Sequence, residues 1–404
     1  MNAVGIDISK GKSMVCIMRP FGEIVASPFS VNHTTGELSK LADKLRSLDG
    51  ETKVIMECTG IYYLPIAYAL YEEGLTVCAV HAQLIHDFGN NTIRKVKTDK
   101  ADAVKIANYG LSHWLELPEY VPEDEVRHML KAYNRQYNKY TKLKTMLKNN
   151  LISLLDQTFP GVNELFKSPP RKSDGHEKWL DFASHFWHCK CVWSLSQKAF
   201  VTTYRKWCRR NGYNFSETKA NDIYIESLGH FGVMSMNETT KLLITQAITQ
   251  ISAVSESIAV VAREMKRLAA SLPEYPVVLE FRGVGEILGP QLMAEIGDIY
   301  RYPRKSSVVA FAGLEPVPNQ SGQFQGATKI SKQGSPHLRK ALFQVMDCLL
   351  KSSPADDPIF QFLDRKRAEG KHYYSYMNAG AAKFLRIYYA RVKKFLDNYY
   401  DDEV

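Results

Sequence analysis

Val4-Gly5-Ile6-Asp7-Ile8-Ser9 alternates without a break: Val4, Ile6 and Ile8 share one face of an extended strand, and Gly5, Asp7 and Ser9 share the other. Working outward, Met14-Val15-Cys16-Ile17-Met18 predicts a second strand and Gly22 to Phe29 a third. Short turns around Gly11 and Pro20-Phe21-Gly22 join them. Thr34 to Leu48 reads as a helix with Leu38, Leu41 and Leu45 on one face. Val54-Ile55-Met56 reads as a buried strand, Tyr62 to Glu73 as a helix, Leu75 to Val80 as a strand and Asp99 to Leu111 as a helix.

A three-strand meander followed by alternating helices and strands predicts a ribonuclease H-like α/β layout with a mixed sheet for residues 1–120. Beyond it the chain is read as helical. Over 121–160 one long helix carries Val126, Leu130, Tyr133, Tyr137, Tyr140, Leu147, Leu151 and Leu154 in a 4-3 spacing that only Lys144 breaks. Over 236–272 a second long helix, Glu238 to Ala270, keeps that spacing unbroken from Ile244 through Leu268. Such helices pair as an antiparallel coiled-coil hairpin, join two subunits, or serve as ordinary core helices. Residues 161–235 hold four of the five tryptophans and are read as an inserted subdomain; 273–404 form a mainly helical C-terminal domain.

At 404 residues, with 45% hydrophobic and 24% charged residues, the chain suits two or three globular domains rather than a disordered or fibrous one. The longest clearly apolar run, Ile61 to Tyr71, is short and contains Pro65, so no membrane span is expected. Seven scattered cysteines and the lack of a signal-peptide pattern point to a cytoplasmic protein. Lys and Arg number 52 against 43 Asp and Glu, a net charge of +9, which suits a polyanionic partner without demonstrating one.

Asp7 sits mid-strand, Glu57 ends a buried strand, and Asp99 and Asp102 project from one face at the start of a helix. Singly, each suits solvent, an ion pair or a helix cap. Converging at strand ends, where sites collect in α/β sheets, they suit two Mg²⁺ ions and phosphoryl transfer. From Pro316 to Met346 there is no acid. This segment is read as a loop in which the amide- and glycine-rich stretch around Ser321, with Lys329, Lys332, Arg339 and Lys340, suits a phosphate backbone, or is simply a Ser-Gly turn. Arg282-Gly283-Val284-Gly285 opening a helix is similar to the turn of helix-hairpin-helix modules, whose backbone N–H groups hold phosphates. Arg127, Lys131, Arg135 and Lys139 form a basic stripe that suits phosphate tracking or plain solvation. His185, His188, Cys189 and Cys191 lack zinc spacing.

Gly5-Ile6-Asp7-Ile8-Ser9-Lys10, Met56-Glu57-Cys58-Thr59-Gly60 and Lys97-Thr98-Asp99-Lys100-Ala101-Asp102-Ala103 resemble the DEDD domain of the insertion sequence 110 family transposases, relatives of the pilin-gene invertases. Gln320-Ser321-Gly322, Ile330-Ser331-Lys332-Gln333-Gly334 and Leu338-Arg339-Lys340-Ala341-Leu342 resemble the family's second block, in the family's order. The resemblance implies a RuvC-like N-terminal domain, a coiled-coil connector and a C-terminal transposase domain. It implies that Asp7, Glu57, Asp99 and Asp102 bind Mg²⁺ and that Ser321 attacks a DNA phosphate to form a transient phosphoserine link. It further implies donor and target DNA, a structured noncoding bridge RNA, and dimers assembling into tetramers in which one subunit's acidic domain completes a site with another's serine domain. The 161–235 segment is larger than the family's usual connector.

An invertase with the same chemistry fits equally well. A metal-dependent junction nuclease with a structural Ser321 is a second alternative. A sugar kinase or actin-like ATPase also opens with Gly-Ile-Asp, but no second Gly-rich phosphate loop is present and no ATP requirement is expected.

Overall fold

The computed structural model describes residues 1–58, 60–89, 98–171, 175–321 and 324–401, and over 319–328 the backbone alone. The chain divides into two compact units, Met1–Glu123 and Asp124–Val404.

The first unit is built on a mixed five-stranded sheet, with strands β1 (Asn2–Ser9), β2 (Lys12–Met18), β3 (Ile24–Asn32), β4 (Thr52–Glu57) and β5 (Thr76–Val80) in the order β3-β2-β1-β4-β5. The meander β1-β2-β3 is antiparallel, and β4 and β5 add in parallel to β1. The alternation read in Val4–Ser9 is real, but both faces are covered. Val4, Ile6, Val54 and Met56 pack under helices α1 (Thr35–Arg46) and α2 (Leu64–Glu72). Ala3, Ile55 and Cys78 pack with α3 (Ala82–Gly89) and α4 (Asp99–Ser112) through Ile85, Ala103, Ile106 and Ala107. The short helix α3 has no counterpart in the sequence reading. Gly5 lets α4 lie directly on β1: a Cβ there would overlap the Ala103 carbonyl and the Ala107 amide.

The second unit is helical apart from one hairpin. Helix α5 (Glu125–Leu155) is followed by α6 (Lys178–His185), α7 (Lys190–Trp193), α8 (Gln197–Arg210) and α9 (Glu217–Leu228), and then by α10 (Glu238–Ala270). Helices α5 and α10 run antiparallel: Leu130 shares a core with Val261, Met265 and Leu268, while Leu151 and Leu155 share another with Ile244 and Ile251. The second core also holds Phe182, Phe200, Tyr204 and Trp207, so the inserted segment is built onto the end of the helix pair. Lys144, the break in the apolar seam, reaches out to Glu177 of the insert at 3.1 Å. Contrary to the expectation from apolar runs, α10 is long and apolar enough to cross a membrane, alone among the described residues; Ile244, Ile251, Val261, Met265 and Leu268 enter the two cores, while Leu242, Leu243 and Val260 are exposed.

Helices α11 (Tyr275–Leu279), α12 (Leu288–Ile296) and α13 (Lys305–Phe311) follow, and then the antiparallel hairpin β6 (Pro316–Ser321) and β7 (Phe324–Ile330). Helices α14 (Pro336–Ser352), α15 (Pro358–Ala368) and α16 (Tyr373–Asp401) complete the unit. The segment read as a loop is therefore a hairpin with a register shift between Val317 and Asn319. Prolines and amides masked its strand character.

Candidate active site

Each acid of the quartet is delivered by a defined feature of the first unit. Asp7 follows Gly5 on the face of β1 that α4 covers. Glu57 follows Ile55 on that face of β4, one step beyond the parallel Ile6–Met56 pair. Asp99 and Asp102 occupy the first turn of α4, whose cap is Thr98; the Thr98 hydroxyl accepts from the Ala101 amide at 3.2 Å. That helix end also carries the positive pole of the peptide dipoles, which favours acids.

The charges meet at Asp7. Burial pushes its carboxyl up from 3.8 to about 6, and the negative charges of Asp102, Asp99 and Glu57 add to the rise, in that order. Carboxylate oxygens gathered this way are the donor chemistry of a hard divalent cation. Among the described residues, no three His, Cys, Asp or Glu side chains stand close enough to hold an ion as they are.

Ser321 closes β6 opposite Phe324. Its side chain, Gly322 and Gln323 lie outside the described residues, as do Thr59 of the Met56–Gly60 motif and Lys97 of the Lys97–Ala103 motif. The two other serines nearby are engaged. Ser335 caps α14, accepting from the Leu338 amide at 3.2 Å, and donates to Glu295 Oε2 at 3.0 Å. Ser331 Oγ accepts from the Gln333 amide at 3.3 Å. Lys329 and Lys332 are exposed beside the hairpin. Arg339 and Lys340, read as phosphate contacts, also make bonds within the protein; Arg339 is half-buried and Lys340 exposed. Arg339 Nη1 donates to the Ala312 and Gly334 carbonyls, and Lys340 Nζ donates to Asn138 Oδ1 at 2.6 Å.

Within the basic stripe, Arg127 is the residue that the structure withdraws from the surface. Arg127 is 7% exposed, and its Nη1 donates to Glu274 at 2.5 Å and to the Gly297 carbonyl. Arg135 forms a two-pronged pair with Glu295, both bonds 2.9 Å, which also receives Asn134 Nδ2 at 2.7 Å. Fourfold spacing places cations on one helix face, but not what covers that face. Here Arg127 is buried and Arg135, paired with Glu295 of α12, is still 40% exposed on its side chain; Lys139 is exposed, and Lys131 is half-buried. Glu295, 1% exposed, is the residue the sequence reading missed. An acid inside the apolar run Leu288–Ile296 was the available signal.

The Arg282–Gly285 turn joins α11 to α12. Gly283 has φ +78° and lies against the Val345 carbonyl, so a side chain is excluded twice over; Gly285 is open to solvent. Arg282 is exposed and reaches Asp356 at 3.3 Å. In the insert, His188 Nε2 meets the Met234 carbonyl at 3.0 Å, so it serves the fold.

A family model described as a transposase matches residues 4–160, and a second, described as the transposase IS116/IS110/IS902 family, matches residues 275–358. An uncharacterized 44.8 kDa protein of insertion element IS116 from Streptomyces clavuligerus is 21% identical over 91% of this chain and 88% of its own length. The pilin gene-inverting protein of Moraxella bovis is 20% identical over 84% of this chain and 80% of its own. The transposase for insertion sequence element IS1111A of Coxiella burnetii is 29% identical over 28% of this chain and 30% of its own. The likeness to the uncharacterized 42 kDa protein of IS900 from Mycobacterium paratuberculosis spans only 29% of that protein. With the acid quartet inside the first matched region and the serine hairpin inside the second, the chain belongs to the IS110 family of transposases.

Proposed function

We propose that this chain is a DNA recombinase of an insertion sequence that cuts and rejoins strands through Ser321, assisted by Mg²⁺ held by Asp7, Glu57, Asp99 and Asp102. The observation that carries the reading is the convergence of three further acids on Asp7 from a strand end and a helix start. The sheet order β3-β2-β1-β4-β5, with helices on both faces, supports a RuvC-like reading of the first unit.

Mg²⁺, when bound, supplies charge neutralisation for the phosphate and for the departing oxygen. The rest falls to the chain. Ser321 Oγ bonds to phosphorus as the bond to one deoxyribose oxygen breaks; the seryl proton is released and the leaving oxygen gains one. The phosphoserine ester keeps the phosphodiester's energy, so a second deoxyribose hydroxyl displaces Ser321 and rejoins the strand without ATP. Ser331 and Ser335 are held by backbone and Glu295, which supports Ser321 as the nucleophile.

Donor and target DNA are the proposed substrates. A structured bridge RNA is proposed to choose them by base pairing, with the protein acting as a dimer that assembles into a tetramer. The likeness to the pilin gene-inverting proteins favours inversion of a DNA segment as the second reading, with the same chemistry. Trapping on a nicked DNA substrate followed by peptide mapping tests the proposal. An adduct on Ser321, absent from Ser321→Ala, is expected; an adduct on Ser331 or Ser335, or one that survives the substitution, overturns it.

A further inference from the structure

The inserted segment holds a cavity of about 560 Å³ that the acid quartet and the serine hairpin do not use. Its wall is made by Phe166, Lys178, Tyr213 and Lys219, with Arg171 and Asn214 at its edge. Lys178 Nζ sits above three rings, 5.0 Å from Phe166, 5.3 Å from Tyr213 and 5.9 Å from Tyr204. Lys219 Nζ sits 5.8 Å from the same Phe166 ring, so two ammonium groups share one aromatic ring. Ring quadrupoles attract cations but do not neutralise them.

The carboxylates that would pair these lysines are engaged elsewhere. Glu177 is bridged by Lys144 and Lys148, and Asp181 takes His176 and the Tyr213 hydroxyl. Among the described residues neither Lys178 nor Lys219 has an ion pair; Lys178 Nζ reaches only the Asn214 carbonyl, at 3.4 Å. Glu164 is the one acid in the lining. Burial and the charge of Lys219 both weaken protonation of Lys178. Two cations facing one cavity without an acid partner are complementary to an anion.

A basic run precedes this cavity wall in the chain. Lys206, Arg209 and Arg210 are exposed on α8, as is Arg205, which pairs with Glu217 at 3.4 Å, and the chain continues from Arg210 through Asn211 to Tyr213 in the cavity wall. Arg171 Nη1 donates to the Asn211 carbonyl at 2.7 Å and fixes that turn. A cavity at the end of a row of exposed cations suits one phosphate of a continuing strand better than an isolated ion.

We propose that Lys178 and Lys219 form a phosphate-binding site for the backbone of a nucleic-acid strand that runs along α8. The inference rests on the nucleic-acid partner proposed above but not on the strand-cutting chemistry. Anisotropy of a fluorescein-labelled single-stranded DNA oligonucleotide, titrated with the full-length protein at several salt concentrations, tests it. Lys178→Gln/Lys219→Gln should lower affinity at least fivefold and reduce the slope of log K against log salt by about 0.7, the share of one phosphate that is no longer neutralised. Lys178 lies across the aromatic core, so Lys219→Gln alone, checked by its melting curve, is the second variant and should lose affinity in the same direction. A neutral methylphosphonate oligonucleotide should bind wild type and Lys219→Gln alike. Unchanged affinity and slope in folded Lys219→Gln overturn the site. So does stabilisation of wild type by inorganic phosphate with no difference in oligonucleotide binding, which assigns the cavity to a free anion. Failure of wild type to bind any nucleic acid defeats the proposed function as well, whereas binding that ignores both lysines defeats this inference alone.

Discussion

Gly5 acts through the atoms it lacks. Because β1 has no side chain at that position, the backbone of α4 rests on the strand and its first turn brings Asp99 and Asp102 within electrostatic reach of Asp7. Gly5→Ala must lift α4, costing roughly 1–3 kcal/mol by overpacking and reducing recombination well beyond that loss; denaturant melts and a strand-exchange assay separate the two effects. Asp7 carries the opposite consequence. Its folded pKa of about 6 lies above the ordinary 3.8, so the folded state holds a proton that the unfolded state releases. Stability is therefore greatest below pH 4 as far as this group is concerned, falls between pH 4 and 6, and stays reduced at pH 7. Asp7→Asn should melt higher than wild type at pH 7 without divalent ions, by roughly 1–2 kcal/mol after allowance for its partial exposure. The gain should shrink toward pH 4, and Mg²⁺ should stabilise wild type but not the variant. Equal melting of the two proteins at pH 7 contradicts this account. Alternation on β1 placed Asp7 correctly, because a period of two is a local property. The burial of Arg127 was not legible, because it depends on Glu274 far along the chain.

At the scale of elements, Glu295 joins three pieces of the second unit. It receives Asn134 and Arg135 from α5 and Ser335 from the start of α14, the helix that follows the serine hairpin. Glu295→Ala leaves the Arg135 guanidinium without its acid and the Ser335 and Asn134 donors without an acceptor. A loss of about 1–3 kcal/mol is expected from the donors left without an acceptor, since Arg135, whose side chain is 40% exposed, regains water; chemical denaturation measures it, with Glu295→Gln falling between that variant and wild type. A loss under about 1 kcal/mol contradicts the keystone role. The long helices were legible almost to the residue, since α10 runs from Glu238 to Ala270 as its spacing indicated. Hairpin β6–β7 was not. It pairs along a polar, proline-bearing sequence, and no periodicity betrays it. The helices of the insert were not read from the sequence; α7 spans only Lys190–Trp193, while α8, at fourteen residues, is long enough to have been found from its buried Phe200, Tyr204, Trp207 and Cys208.

Across the whole molecule, the acids lie in the Met1–Glu123 unit and Ser321 lies in the other. If each catalytic centre draws its acids and its serine from different subunits, Asp7→Asn and Ser321→Ala should each be inactive, yet their mixture should recover part of the wild-type recombination, because one of the two centres in a mixed dimer is intact. No recovery after subunit exchange has been verified contradicts shared centres. Helices α5 and α10 join the insert to the C-terminal part of the second unit, with Lys144, Lys148 and Glu177 fastening the insert to α5. A 31-residue helix is ~46 Å long at 1.5 Å per residue. Supported along its length by an antiparallel neighbour, it behaves as a beam rather than a tether. A beam converts angle into distance: a tilt of about 5° at one end sweeps the other through about 4 Å, comparable to the reach of a salt bridge. On that geometry, a load on the insert would be felt as displacement at the Arg127–Glu274 end.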